Sequence, residues 1–186
     1  MGTSGQLENT DTSTFIEVLC DFRELERGIM PDDQTIAALF ELAITAEEAA
    51  QDFYLGLAEK FSHLPTIADF WQEMMEDEVL HVRALREIRA SLTPDQFSAP
   101  VDPTIWWKAK EVSRFSVQKR LNSVKTLEDA YQSAHYLEYS EVNTVFEFLL
   151  TEFTSSDKSR EFIASQLRDH VEKLTEFSET FGNSET

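Results

Sequence analysis

The sequence predicts an all-α protein, a four-helix bundle with one long crossover between its second and third helices. Three observations carry that expectation. Only 5 Gly and 5 Pro punctuate 186 residues, too few for the turn-dense layouts of β-sandwiches and barrels. Hydrophobic residues make up 41% of a chain of single-domain size, enough to build a sizeable core. Apolar positions recur at helical spacing over four long stretches, two before and two after a connection of about 35 residues.

Residues 1–12 (MGTSGQLENTDT) are small and polar and bury nothing, which predicts a disordered tail, and the closing GNSET reads the same way. From Ser13 to Arg27, Phe15, Val18, Leu19, Phe22 and Leu25 fall at helical spacing before Gly28 and Pro31, which predicts a leading helix. The first bundle helix is expected over Asp32–Ser62, opened by Pro31 and Asp32 and stopped by His63-Leu64-Pro65. The second is expected over Pro65–Ser91, ending before Thr93-Pro94. Residues 92–126 form the crossover, with Pro100 and Pro103 and one helix over Thr104–Leu121 that has Trp106 and Trp107 near its start. The third bundle helix is expected over Leu127–Thr154, and after Ser155-Ser156-Asp157 the fourth runs to Phe181. The result is one helical domain over 13–181 with its bundle core in 32–181. Short loops make the partners within each pair antiparallel.

Charge narrows the function. Lys plus Arg number 16 against 35 Asp plus Glu, a net charge of -19 that repels phosphate backbones and anionic membranes, so neither nucleic acid nor membrane is expected as a partner. A lone cysteine, Cys20, makes no intramolecular disulfide and no four-thiolate site. With no apolar run near the roughly 18 residues of a membrane span and no basic, apolar leader, the expected compartment is the cytoplasm.

Stepping along each helix by four and three residues gives the stripe that must face the bundle core. On the first helix it reads Ile36, Phe40, Ala43, Glu47, Ala50, Tyr54, Leu57, Phe61, and on the second Ile67, Trp71, Met74, Glu78, His81, Leu85, Ile88, Leu92. On the third it reads Leu127, Tyr131, Ala134, Glu138, Glu141, Val145, and on the fourth Ile163, Leu167, His170, Leu174, Phe177, Phe181. Four Glu and two His thus interrupt the seam near mid-height of all four helices. Buried carboxylates cost several kcal/mol each, about as ion-transfer estimates give, and repel one another unless something compensates them. Two divalent cations would balance four carboxylates, and imidazole with carboxylate oxygen suits iron, manganese and zinc. The spacings Glu78-x-x-His81 and Glu138-x-x-Glu141 put ligand side chains one turn apart on one face. For any one Glu a solvated face of an acidic protein is an equal account, and His170 alone would read as a core histidine. Their joint level favours a site. Trp71, Met74 and Met75 read as ordinary core.

At these residues the sequence resembles the rubrerythrin branch of the ferritin-like superfamily. The stretch Leu42-Ala43-Ile44-Thr45-Ala46-Glu47-Glu48-Ala49-Ala50-Gln51-Asp52-Phe53-Tyr54 is similar to the family's first metal helix, with Glu47 at its Glu ligand. Glu76-Asp77-Glu78-Val79-Leu80-His81 resembles its Glu-x-x-His helix, and Ala134 to Glu141 its Glu-x-x-Glu helix. The fourth helix departs, because Leu167 stands where the family has a bridging Glu before His170, and Asp169 lies about 100° away around the helix.

The resemblance implies a ferritin-like fold holding a pair of irons that reduces peroxide or oxidises ferrous iron with dioxygen. It implies Glu47, Glu78, Glu138 and Glu141 as oxygen ligands, His81 and His170 as nitrogen ligands, and Tyr54 as a donor of a hydrogen bond or an electron, although a core aromatic fits Tyr54 as well. His135, three residues before Glu138, reads as a surface histidine with a lesser claim as ligand. The four cysteines of a rubredoxin domain are absent, so electrons would come from a separate donor protein or from the ferrous substrate. Lys108, Lys110, Arg114, Lys119, Arg120 and Lys125 make the crossover basic, which suits a helix lying on the acidic bundle or a dock for an acidic carrier. The leading and crossover helices offer further apolar faces for a homodimer. Leu167 also motivates an alternative class, a non-catalytic assembly protein with a degenerate site, and passive iron binding is a third reading.

Overall fold

The computed structural model describes residues 34–139, 141–154 and 157–181, all but Gln34 within a unit spanning Thr35–Thr186. The tail expected over 1–12, the leading helix expected over 13–27 and Cys20 lie outside the described residues. Among the described residues the chain is all helix, without a strand.

Helix α1 (Ile36–Lys60) starts four residues later than the Pro31-Asp32 signal predicts. Thr35 is its cap, accepting the Ala38 N–H on Oγ1 at 3.3 Å, and the Ile36 N–H donates to the Ala99 carbonyl at 2.9 Å. Tertiary pairing with the crossover thus decides where the helix begins. Helix α2 (Pro65–Ser91) matches its expected bounds, with Pro65 in the first turn, where a missing N–H costs nothing. The pair packs antiparallel, tied outside by Arg86–Glu48 and Arg89–Glu41 ion pairs.

The crossover corrects the expectation of one helix over Thr104–Leu121. It contains α3 (Pro94–Ser98), opened by a Thr93/Gln96 capping box, then α4 (Pro103–Val112), capped by Asp102, then α5 (Val117–Ser123). The interruption at 113–116 lets Phe115 turn inward and meet Phe53 edge-on at 5.7 Å. Burial of that ring against α1 outweighs the backbone bonds a continuous helix would keep. Helix α4 lies on α7 and α1, and α5 lies across α1. Gly56 permits the latter approach, since a Cβ there would collide with the Leu121 side chain. Of the tryptophan pair, Trp106 is buried and Trp107 is exposed.

The third bundle helix is likewise two pieces, α6 (Leu127–Glu138) and α7 (Glu141–Phe153). Tyr139 caps α6 at φ -91° and ψ 8°, sharing its N–H between the His135 and Leu137 carbonyls. No Gly or Pro marks the break. The buried face nevertheless carries across it, from Ala130, Ala134 and Glu138 to Val145 and Leu149. Helix α8 (Asp157–Phe181) completes the bundle and packs on α6 and α7.

Two apolar clusters fill the interior. One gathers Phe53, Leu57, Trp71, Met74, Leu137 and Phe177, and the other Leu39, Phe40, Leu85, Phe146 and Leu149. A polar layer separates them at mid-height.

Candidate metal centre

That layer is built by four helices. α1 supplies Glu47 and, two turns on, Tyr54; α2 supplies Glu78 and His81 one turn apart; α6 ends on Glu138; α8 brings His170. Each shares its helix stripe with core side chains, so packing the stripe buries it as well. None of the five ionisable groups Glu47, Glu78, His81, Glu138 and His170 is more than 5% exposed, and Tyr54 is fully buried.

Glu78 joins the two halves of the cluster. His81 Nδ1 lies 3.0 Å from Glu78 Oε2 and 3.5 Å from Glu47 Oε2. His170 Nδ1 lies 3.3 Å from Glu138 Oε2 and 3.6 Å from Glu78 Oε1. The two imidazoles face each other with centroids 4.9 Å apart. Glu78, His81 and His170 each bring one ligand atom within 4.8 Å of the others, a spacing that one cation can span. The Tyr54 hydroxyl donates to Glu138 Oε1 at 2.5 Å, and Trp71 stacks on the Tyr54 ring at 6.0 Å. Phe146 covers His81 at 4.7 Å, sealing the other side from water.

Burial and the Glu47 charge push Glu78 up to about 8, against the pull of His81. Burial opposes charge on His170, yet Asp77 and Glu138 outweigh it and push the imidazole up to about 10. His81 is likewise desolvated, and bonds to Glu47 and Glu78 still hold it well above the ordinary histidine value. Burial and the neighbouring Glu138 and Glu78 charges push the Tyr54 phenol well above its usual value, so it keeps its proton and remains a donor. Protons therefore compensate the carboxylates in the metal-free chain.

Among the ligand candidates, three buried atoms lack a hydrogen-bond partner: Glu47 Oε1, His81 Nε2 and His170 Nε2. Each such group costs about 1–3 kcal/mol. A divalent cation fits this donor set, since it would satisfy the bare carboxylate oxygen and replace the protons that hold the acidic groups together.

Sequence reasoning passed over one participant. Asp77 Oδ2 sits 3.2 Å from His170 Nε2, within ion-pair distance but off the line of a hydrogen bond, and also takes the Lys173 ammonium. Burial raises its carboxyl, but His170 and Lys173 outweigh that and hold it at about 2. The available signal was position: Asp77 is about 100° around α2 from Glu78, and Lys173 is three residues beyond His170. Of the other sequence candidates, the Glu141 and Leu167 side chains lie outside the described residues. Asp169 is exposed, and His135 stands away from the cluster, stacked on Tyr139 at 4.1 Å.

A family model described as Rubrerythrin matches residues 39–177. Comparison with curated proteins and with solved structures gives no match.

Proposed function

The chain belongs to the rubrerythrin family, and from that premise we propose that it binds iron in the mid-bundle cluster and acts as an oxidoreductase on peroxide or on ferrous iron with dioxygen. The observation that carries this reading is the convergence of three buried carboxylates and two buried imidazoles, with Glu47 Oε1 left bare. Glu47, Glu78 and Glu138 would hold the metal through oxygen and His81 and His170 through nitrogen, with Glu141 added from the family pattern. Iron held there would supply the electrons for the reduction of an oxidant. Tyr54 holds Glu138 in place through its short hydrogen bond, and Asp77 orients His170 from behind. Phe146 and Trp71 keep bulk water from the polar layer, which strengthens every electrostatic contact inside it. The reducing equivalents would come from a separate donor protein or from ferrous substrate.

The test is iron per chain by mass spectrometry after anaerobic ferrous loading and desalting, followed by peroxide consumption. About two irons per chain with peroxide turnover is expected from the fold type. Glu78→Gln should lose the retained iron. Retained iron without turnover would select passive iron holding instead. No retained iron would overturn both.

A further inference from the structure

We propose that the recess between the α4–α5 turn and the outer face of α6 binds a small planar aromatic anion, a ring system carrying a phosphate or carboxylate. The recess has a volume of about 880 Å³ and presents Arg114, Lys119, Arg120, His135, Tyr136 and Tyr139. That size falls at the upper end of small-molecule sites.

Its charge departs from that of the molecule. The chain carries a net charge of -19, yet among the described residues the only carboxylate lining the recess is Glu111, which pairs with Arg114. Lys119 and Arg120 have no carboxylate partner among the described residues. An anion repelled elsewhere meets two uncompensated cations here, and concave walls focus their field.

The aromatic half of the ligand is set by the opposite wall. Tyr136 and Tyr139 are 59% and 60% exposed, a high exposure for paired rings beside a concavity. Each is held in orientation: His135 lies nearly flat on Tyr139, with an interplanar angle of 16°, and the Arg120 guanidinium stands 4.9 Å over the Tyr136 ring. Oriented tyrosine faces beside a guanidinium suit a stacked ring whose acidic group reaches the cations. Leu137 and Tyr139, the sequence neighbours of Glu138, both line the recess, so a bound ring lies one helix layer from the buried cluster. The site does not depend on metal being bound.

Flavin mononucleotide is a suitable probe, because stacking on tyrosine quenches its fluorescence. Titration of the full metal-free chain should give saturable quenching. Lys119→Glu with Arg120→Glu should weaken it at least about tenfold, and Tyr139→Ala by about fivefold or more. Circular dichroism establishes that these variants fold, and Lys119→Ala, which removes an exposed side chain without a partner, should weaken binding in the same direction. Riboflavin, lacking the phosphate, and inorganic phosphate, lacking the ring, should each bind more weakly than the nucleotide. Absence of saturable quenching up to about 1 mM, a weak limit for specific association, would overturn the site. So would affinity unchanged in folded variants, or riboflavin or phosphate binding as tightly as the nucleotide. A recess that instead seats a second copy would show a dimer dissociated by the charge reversal and no effect of the nucleotide.

Discussion

Glu78 shows how a single buried carboxyl ties stability to pH. Its folded value, about 8, lies above the ordinary 4.5, so the folded state binds its proton more tightly. That contribution is complete below about pH 4.5 and is lost as pH rises toward 8. His170, at about 10 in the fold against 6.5, contributes stability present below 6.5 and lost as pH rises toward 10, and His81 adds in the same direction. The thermal midpoint of metal-free protein should therefore fall between about pH 6 and pH 9, and Glu78→Gln should flatten part of that fall, as read by thermal melts. Asp77 contributes with the opposite sign, its share lost only as pH drops from 3.8 toward 2. Asp77→Asn leaves His170 Nε2 without its charged neighbour and should weaken metal binding by about 10–100-fold, measured by competition with a chelator. Most participants at this scale were legible in the sequence because a charged residue on an apolar stripe violates the pattern around it. Asp77 was not, because its role depends on which helix lies beside α2.

At the scale of elements, α2 was the clearest, since Pro65 and Thr93-Pro94 bracket an uninterrupted period. The pieces that escaped the sequence are breaks with tertiary causes. Phe115 turns into the core between α4 and α5, and Tyr139 ends α6 with no breaker in sight. Helix α6 is short and positions Glu138 on its last residue, so its start matters to the site. Thr126 Oγ1 accepts the Asp129 N–H at 3.1 Å, and the Asp129 carboxylate accepts the Thr126 N–H at 2.9 Å. Thr126→Ala should cost about 1 kcal/mol in denaturant unfolding. The backbone bonds from Lys125 and Thr126 hold Asp129 below the usual carboxylate value, so this cap's contribution is present above about pH 3.8 and fades as pH falls.

The whole molecule places a charged layer between two apolar clusters, and the same helices carry both. Leu85→Ala, in the cluster next to His81, should destabilise by about 2–5 kcal/mol in denaturant melts. Metal bound in the layer should raise the thermal midpoint by mass action. It should also release protons, because Glu78 must ionise and the imidazoles must become neutral to act as ligands. Ferrous affinity should accordingly increase from about pH 6 to pH 8, with proton release visible in weakly buffered titration.

The all-helical class, the bundle layout and the level at which Glu47, Glu78, His81, Glu138 and His170 meet were determined by the sequence itself. Helical periodicity is local, and a stripe that must be buried carries its polar residues inward with it. Tertiary structure alone decided the rest. It set Thr35 as the cap of α1, divided the crossover helix, broke the third bundle helix at Tyr139, and brought Asp77 behind His170. It also gathered Lys119, Arg120, Tyr136 and Tyr139 around one recess. Each of these rests on contacts between residues distant in the chain, whose energies exceed the small local preferences that a sequence displays.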